Sequence, residues 1–368
     1  MKRREFLVAG SSLALGASLS RGALGAAAAT RDASGRARIR RGVTLYSYQE
    51  EYYQHAMSLE DCLAELNSIG ATGVQLIAEE MVPNYPDPPQ AWVDQWHGML
   101  AKYRLTPTNL DTFVDVYLGG HRKMSAQEQV DTLVSHLKLA HRLGFRIVRP
   151  TTGPVEEPAV AMVERALPFA EKYDVRIAPE IHAPIPLQGK YIQSYVDLIH
   201  RTGTKHVGFT LDFGVFCKRI PKVMVEYWKR HGAREVVADY VQKAFENSEG
   251  IEAILAAVEK MNPTDGDRGL ANMARGYGPV ANTPAMLEPL APFIFNVHGK
   301  FYEMTEHFVE NSIPYEQIIP ALVKIGYSGS IDSEYEGQRW TQDAFPTDSC
   351  EQVRREHVML RRLLGEIA

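Results

Sequence analysis

The chain has 368 residues, of which 45% are hydrophobic and 23% charged, and a formal net charge of −5. These proportions suit a soluble enzyme with one large or two smaller cores and exclude a fibre or a disordered tail. Three scattered cysteines, Cys62, Cys217 and Cys350, describe neither a disulfide framework nor a Cys-x-x-Cys zinc site, so buried free thiols are expected.

Residues 1–30 read as a signal peptide: MKRRE, the weakly apolar FLVAGSSLALGASLS, then Arg21 and GALGAAAA. The pair Arg3-Arg4 followed by Phe6-Leu7 resembles a twin-arginine export signal. Export to the periplasm is the corresponding expectation. Residues 31–41, RDASGRARIRR, form a basic linker, and 42–368 the folded body. Residues 1–41 carry nine basic and two acidic side chains, and subtracting this +7 from −5 leaves −12 for residues 42–368. An acidic body repels phosphate backbones, which argues against a nucleic-acid partner. No later stretch reaches 18 uninterrupted apolar residues, so no membrane association is expected once the signal is removed.

From Gly42 onward strand-like and helix-like runs alternate. GVTLYSY is strand-like. SLEDCLAELNSIG has an N-cap at Ser58, apolar residues at helical spacing and a stop at Gly70. GVQLIAE reads as a second strand and AWVDQWHGMLAKY as a second helix; LTPTNLD is a weaker third strand because Pro107 sits inside it. A long helix at 126–143 leads into FRIVRP, followed by a helix near 157–173, VRIAPEI, a helix near 190–202 and HVGFTLDF.

The rhythm then breaks. Asp212 and His298 are 86 positions apart, against 32 from Glu180 to Asp212 and 36 from His298 to Glu334. Residues 218–285 are therefore an insertion, helical at VVADYVQKAFENS and IEAILAAVEKM, with the loop-rich NPTDGDRGLANMARGYGPVANTP as a lid or docking loop. PFIFNVH, a helix near 315–325, GSIDSEY and a basic C-terminal helix complete the pattern. Eight strands, beginning near 43, 73, 105, 145, 175, 206, 293 and 329, predict an α/β fold: a closed (β/α)₈ TIM barrel with a helical or loop insertion between strands six and seven. No Gly-x-Gly-x-x-Gly follows the first strand, which disfavours a dinucleotide-binding sheet.

In such a barrel the strand C-termini line the active-site mouth. Glu180, Asp212, His298 and Glu334 each close a strand run, so strands five to eight would bring them together. Three carboxylates and one imidazole suit one divalent ion, Mn²⁺, Mg²⁺, Co²⁺ or Zn²⁺, and ligand softness alone does not choose among them; Mn²⁺ is the ion expected first. Strand alternation puts His182 beside Glu180, Lys300 beside His298 and Glu336 beside Glu334, where they would contact substrate. Tyr46, Tyr48, Glu79, Asp111 and Arg149 end the other strands, as groups for sugar hydroxyls or for loop packing. His97, His136 and His141 fall on helices and are not expected as ligands.

The ordered set IAPEIHAP, FTLDFG, NVHGK and SIDSEYEG resembles the xylose isomerase-like TIM-barrel family of sugar isomerases and epimerases across residues 42–340. The resemblance implies metal roles for Glu180, Asp212, His298 and Glu334. GVTLYSYQEEYY, EDCLAELNSIGATGVQLIAEEMVPNYPDPP and DQWHGMLAKY are more narrowly similar to the catalytic α subunits of C-glycoside deglycosidases. Those act on 3-oxo-glycosides with a small β-sandwich partner subunit; a homo-oligomer is the other arrangement considered. The endonuclease IV branch of the fold, richer in histidine ligands, fits poorly. The expected chemistry is proton abstraction α to the carbonyl of a sugar or oxo-sugar, with Glu180 and Glu334 as opposed bases. This gives isomerisation or epimerisation, or, with a leaving group β to the carbonyl, cleavage of an oxo-glycoside in which His182 or Lys300 acts on the aglycone. A sugar-binding barrel without catalysis and a metal-free hydrolase using paired carboxylates are the competing classes.

Overall fold

The computed structural model describes residues 38–152, 158–278 and 282–367. The signal peptide and most of the linker expected from the sequence lie outside the described residues. The strands are β1 (Arg40–Thr44), β2 (Gly73–Ile77), β3 (Thr106–Val114), β4 (Ile147–Thr152), β5 (Arg176–Ile177), β6 (Glu180–Ile181), β7 (Phe209–Asp212), β8 (Ile294–Phe301) and β9 (Ser330–Tyr335). All pairings between them are parallel, in the order β5-β4-β3-β2-β1-β9-β8-β7-β6.

The two ends of that order are one interrupted strand. Only Ala178 and Pro179 separate β5 from β6; β5 pairs with β4 and β6 with β7. Pro179 has no N–H to give a ladder, but the Ile177 and Ala178 amides still donate to His206 and Val148, at 2.7 and 2.9 Å. The sheet thereby closes on itself, and the nine segments are the eight strands of a (β/α)₈ barrel. Its first strand starts at Arg40, two residues inside the segment read as linker. Arg41 explains why: its guanidinium is buried against His357 Nδ1 (2.7 Å), the Gly70 carbonyl (3.1 Å) and Glu366 (3.2 Å).

The outer helices of the first half are α1 (Leu59–Ser68), α2 (Gln90–Tyr103), α3 (Ala126–Leu143), α4 (Val160–Tyr173) and α5 (Lys190–Thr202). Ser58 and Ser125 build capping boxes with Asp61 and Glu128, satisfying amides that the first helical turn leaves free. Trp96 of α2 is fully buried, stacked between Trp92 and Phe145, and donates its indole N–H to the Leu143 carbonyl at 3.0 Å. Burial of such side chains contributes about 1.5–3 kcal/mol each.

Pro107 does lie within β3. The strand tolerates it through a register shift, in which Val74 faces Pro107 and Gln75 faces Asn109, skipping Thr108. Thr108 turns inward instead and donates to Asp332 Oδ2 at 2.8 Å. Gly42 makes room for that carboxylate, because a Cβ there would stand 2.0 Å from Asp332 Oδ1.

The insertion is more helical than the sequence suggested. It holds α6 (Lys222–Arg230), α7 (Glu235–Glu246), α8 (Ile251–Glu259) and α9 (Asp265–Tyr277). The loop-former-rich stretch read as a lid or docking loop is largely helical, forming α9, a correction to its loop character with a clear cause. Thr264 and Asp267 form a capping box, and Leu270, Ala271 and Ala274 bury one face. Gly269 is part of the packing: a Cβ there would come 2.1 Å from the Trp228 ring of α6. Helix α10 (Tyr315–Lys324) and helix α11 (Ser349–Leu363) complete the barrel. No described helix is long and apolar enough to cross a membrane.

Candidate active site and metal centre

Parallel pairing sets the strand ends side by side, with Asp212 opposite His298 and Lys300 opposite Glu334. Along β8, Asn296, His298 and Lys300 share the barrel interior, as Asp332 and Glu334 do on β9. One ligand atom from each of Glu180, Asp212, His298 and Glu334 lies within 4.8 Å of the others. Asp212, His298 and Glu334 are buried, and Glu180 nearly so.

His298 Nδ1 lies 2.6 Å from Glu180 Oε1 and 3.1 Å from Glu334 Oε2. Its other ring nitrogen lies 2.8 Å from Gln75 Nε2, and that amide also donates to Asp111. Asp111 accepts from Arg149 Nε at 2.8 Å, and Arg149 Nη1 stands 3.4 Å from Glu180 Oε2. On the other side Lys300 Nζ contacts Glu336 (2.7 Å), Glu334 (3.2 Å) and Asp212 (3.4 Å). The Tyr46 hydroxyl donates to Glu336 at 3.3 Å.

Electrostatics prepare these groups unequally. Burial opposes charge on Glu180 and Glu334, but Arg149 with His298, and His298 with Lys300, outweigh it. Glu180 is held well below the usual carboxylate range and Glu334 at about 2. Asp212 goes the other way, pushed up to about 6 by burial and by the neighbouring Glu334 and Glu180, against the pull of Lys300. Burial opposes the His298 charge, yet Glu334 and Glu180 raise its pKa well above the ordinary value. Five carboxylates, Asp111, Glu180, Asp212, Glu334 and Glu336, surround the two permanent cations Arg149 and Lys300. That surplus of negative charge suits a divalent cation. Glu334 Oε2 is buried between His298 Nδ1 and Lys300 Nζ, at 3.1 and 3.2 Å, and with the neighbouring Glu180 and Asp212 oxygens it completes a donor set of three carboxylates and one imidazole that fits a divalent ion.

A cavity of about 510 Å³ opens above this cluster. His182, Lys300, Tyr46, Asp111, Arg149 and Glu336 all line it, and the His182 ring donates from Nδ1 to the Ala183 carbonyl at 2.6 Å. Two residues considered with them do not. Tyr48 is fully buried away from the cavity, against Cys350, Glu65 and Cys62. Glu79 accepts from the Phe113 amide (2.7 Å) and the Tyr85 hydroxyl (3.0 Å), a loop-packing role, while its neighbour Glu80 faces the cavity. His97 and His141 bond backbone carbonyls, and His136 is buried beside Tyr85. All three cysteines are free; Cys62 and Cys217 are buried and Cys350 is partly so.

Sequence reasoning missed Gln75. Its signal was present: a polar residue inside the apolar run GVQLI, all of it buried. It also missed the insertion's contribution, for Met224 of α6 and Met273 and Tyr277 of α9 form one wall of the cavity, with Tyr302 and Trp340 beside them.

The family model for the xylose isomerase-like TIM barrel matches residues 63–361. Among curated proteins, a C-glycoside deglycosidase alpha subunit of Arthrobacter globiformis is 30% identical over 333 residues, spanning 85% of this chain and 88% of that one. The 3'-dehydrocarminate deglycosidase alpha subunit of a Microbacterium species is 27% identical, spanning 89% and 96%. Similar solved structures include the D-psicose 3-epimerase of Clostridium cellulolyticum (TM-score 0.54, 12% identity, 89% of this chain and 99% of that one). An IOLI protein with a bound zinc atom superimposes equally well (TM-score 0.54, 12% identity, 89% and 99%). With its barrel closed and the family match running over most of its length, this chain belongs to the xylose isomerase-like TIM-barrel family.

Proposed function

We propose that this chain is a divalent-metal-dependent enzyme that removes a proton α to the carbonyl of an oxo-sugar and, with a leaving group β to that carbonyl, expels it as a lyase. The observation that carries this reading is the convergence of Glu180, Asp212, His298 and Glu334 beneath a cavity whose far wall is apolar. Glu180, Asp212, His298 and Glu334 would hold a divalent ion, and the chemistry it would supply is Lewis-acid stabilisation of the negative charge that develops on a sugar carbonyl when the α-proton leaves. Mn²⁺ is our first choice, with Mg²⁺, Co²⁺ and Zn²⁺ as alternatives.

Glu180 and Glu334, both held as anions, flank the position of the reacting carbon. One takes the α-proton, and the C–H electron pair becomes the enediolate double bond. In the lyase outcome that pair then forms a carbon–carbon double bond as the bond to the aglycone breaks, and the departing group leaves with its electrons. Lys300 or His182 donates the proton that completes it. Arg149 and Gln75 position Asp111, Glu180 and His298. Met224, Met273, Tyr277 and Trp340 offer an apolar face to the aglycone, a surface that a free sugar would leave unused. The deglycosidase names of the relatives support this outcome.

The second reading is isomerisation or epimerisation of a free sugar, the outcome that the family resemblance in the sequence implies. It is favoured by the two opposed carboxylates, one to remove the proton and the other to return it. A chelator titration coupled to deuterium exchange at the sugar α-carbon tests the shared step, and mass spectrometry of 3-oxo-glucosides against free ketoses separates the outcomes. Exchange that survives complete metal removal would sink the metal role; no exchange at any metal content would leave a sugar-binding barrel. We further propose a partner subunit, supported by the relatives' designation as alpha subunits. Export through the Arg3-Arg4 signal is proposed as well, checked by locating the protein after Arg3-Arg4→Lys-Lys replacement.

A further inference from the structure

A second cavity, about 770 Å³, opens at the opposite end of the barrel, where the strands begin. Its volume lies in the range of small-molecule sites, roughly 300–1,000 Å³. Five arginines line it: Arg38, Arg40, Arg104, Arg146 and Arg176. Arg38 pairs with Glu366 at 2.8 Å and Arg146 with Asp174 at 2.5 Å. Among the described residues, Arg40, Arg104 and Arg176 have no carboxylate within ion-pair distance. This is a local excess of positive charge on a body whose residues 42–368 carry −12.

Arg176 shows the strain of that arrangement. It is half-buried, its guanidinium stacked 4.3 Å from the centre of the Phe295 ring, and burial draws its pKa below the usual arginine value. Asp174 offsets this only in part and from beyond ion-pair distance; a partly desolvated cation with no directly paired carboxylate is costly, and a bound oxyanion lowers that cost. The cavity is also lined by Asn296, 1% exposed, whose amide donates to Asp332 Oδ2 at 2.8 Å while its buried Oδ1 has no partner. An unmatched buried acceptor calls for a donor such as a hydroxyl. Residues 1–37 carry six basic against two acidic side chains, so the preceding segment adds charge of the wrong sign.

From this geometry we infer that the cavity at the strand N-termini binds a small hydroxylated organic oxyanion, with Arg40, Arg104 and Arg176 gripping its carboxylate or phosphate and Asn296 accepting from its hydroxyl. Arginine forks match both oxyanions in two-point contacts. The apolar walls, Leu100, Leu105 and Ile294 among them, seat the carbon skeleton. The site shares no lining residue with the metal-centre cavity.

Calorimetric titration of the full chain at fixed ionic strength, with glycerate and glycerol phosphate as probes and glycerol as the neutral control, tests this. Saturable one-to-one binding of at least one anion and none of glycerol is expected. Arg176→Gln should weaken it roughly tenfold or more, the loss of a charge-assisted hydrogen bond, and Arg104→Glu should do likewise. Lys300→Met, in the other cavity, should leave it unchanged. Arg104 is exposed at the end of α2, so its variant reads the site even where Arg176→Gln perturbs folding. Absence of saturable binding by both anions overturns the inference, as does binding that Lys300→Met weakens and both arginine variants leave intact. The readout is binding alone, so failure here leaves the proposed chemistry at the other mouth untouched.

Discussion

The two mouths of this barrel are built from the same strands and have opposite charge logic. At the C-terminal mouth the two buried permanent cations are embedded among carboxylates: Arg149 between Asp111 and Glu180, Lys300 among Asp212, Glu334 and Glu336. At the N-terminal mouth Arg40, Arg104 and Arg176 face a cavity that no carboxylate lines and form no ion pair among the described residues. Side-chain alternation makes this possible, since Asn296 and His298, or Asp332 and Glu334, sit two residues apart on one strand and face the same interior at different depths. A barrel can thus carry two sites of opposite polarity on shared strands. The sign of the surplus charge indicates what each admits, a cation above and an oxyanion below.

The largest expected effect tests whether the upper mouth alone carries chemistry. Glu180→Gln should lower deuterium exchange and turnover by roughly 10²–10⁴-fold, the span typical of a lost general base, while glycerol phosphate binding below stays unchanged; parallel loss of both would erase the distinction between the mouths. Gln75→Ala comes next. By releasing His298 it should weaken metal affinity by roughly 10–100-fold, measured by competition with a metal-sensing dye, and unchanged affinity would demote Gln75 to packing. Third, Gly269→Ala should cost about 1–3 kcal/mol in urea unfolding, because the new methyl meets the Trp228 ring. It should also raise KM for glycosides more than it lowers exchange on a truncated sugar.

The fourth effect concerns pH. Burial pushes the Glu356 carboxyl up to about 8, against hydrogen bonds from Ser333 and Tyr315. The folded chain therefore keeps a proton that the unfolded chain loses above 4.5. This contribution is complete below pH 4.5 and disappears as pH rises through 8, at up to about 1.4 kcal/mol per pH unit between them. Urea melts from pH 5 to 8 should show Glu356→Gln flattening that slope; a slope unchanged in the variant would place the ionisation elsewhere. The smallest effect belongs to exposed pairs that line neither cavity. Arg122→Ala, which breaks the exposed contact with Glu128, should change stability by less than about 1 kcal/mol, and a larger loss would show that the capping box at Ser125 depends on it.

Much of the upper mouth was legible because strand ends advertise it: Glu180, Asp212, His298 and Glu334 each follow a short apolar run, and the barrel rule supplies their convergence. Gln75 escaped because nothing in a run such as GVQLI tells a buried hydrogen-bonding partner from a tolerated polar residue until the barrel closes. The run GVQLIAE reads as a strand through Glu79, but the chain turns into a one-turn helix at Ala78–Met81, and Glu80 rather than Glu79 lines the cavity. Helix α9 was hidden by Gly266, Gly269 and Gly276, which lower helix propensity. At Gly266 and Gly269 the absence of a side chain is what permits packing, since a Cβ would meet the Ala233 backbone or Trp228. The lower mouth was not legible at all, because its arginines come from α2 and the beginnings of several strands, and no sequence rule groups strand beginnings as chemistry.

The contact of Trp228 with Gly269 has a consequence for how this protein could diversify. With α6 and α9 in direct contact, the insertion is a preassembled block seated on the barrel between β7 and β8, rather than a flap that folds over a guest. Internal packing of this kind lowers the ordering entropy that would otherwise oppose binding. A chain built in this way can acquire a new preference by exchanging the block as a cassette, while Glu180, Asp212, His298 and Glu334, all outside it, keep their positions.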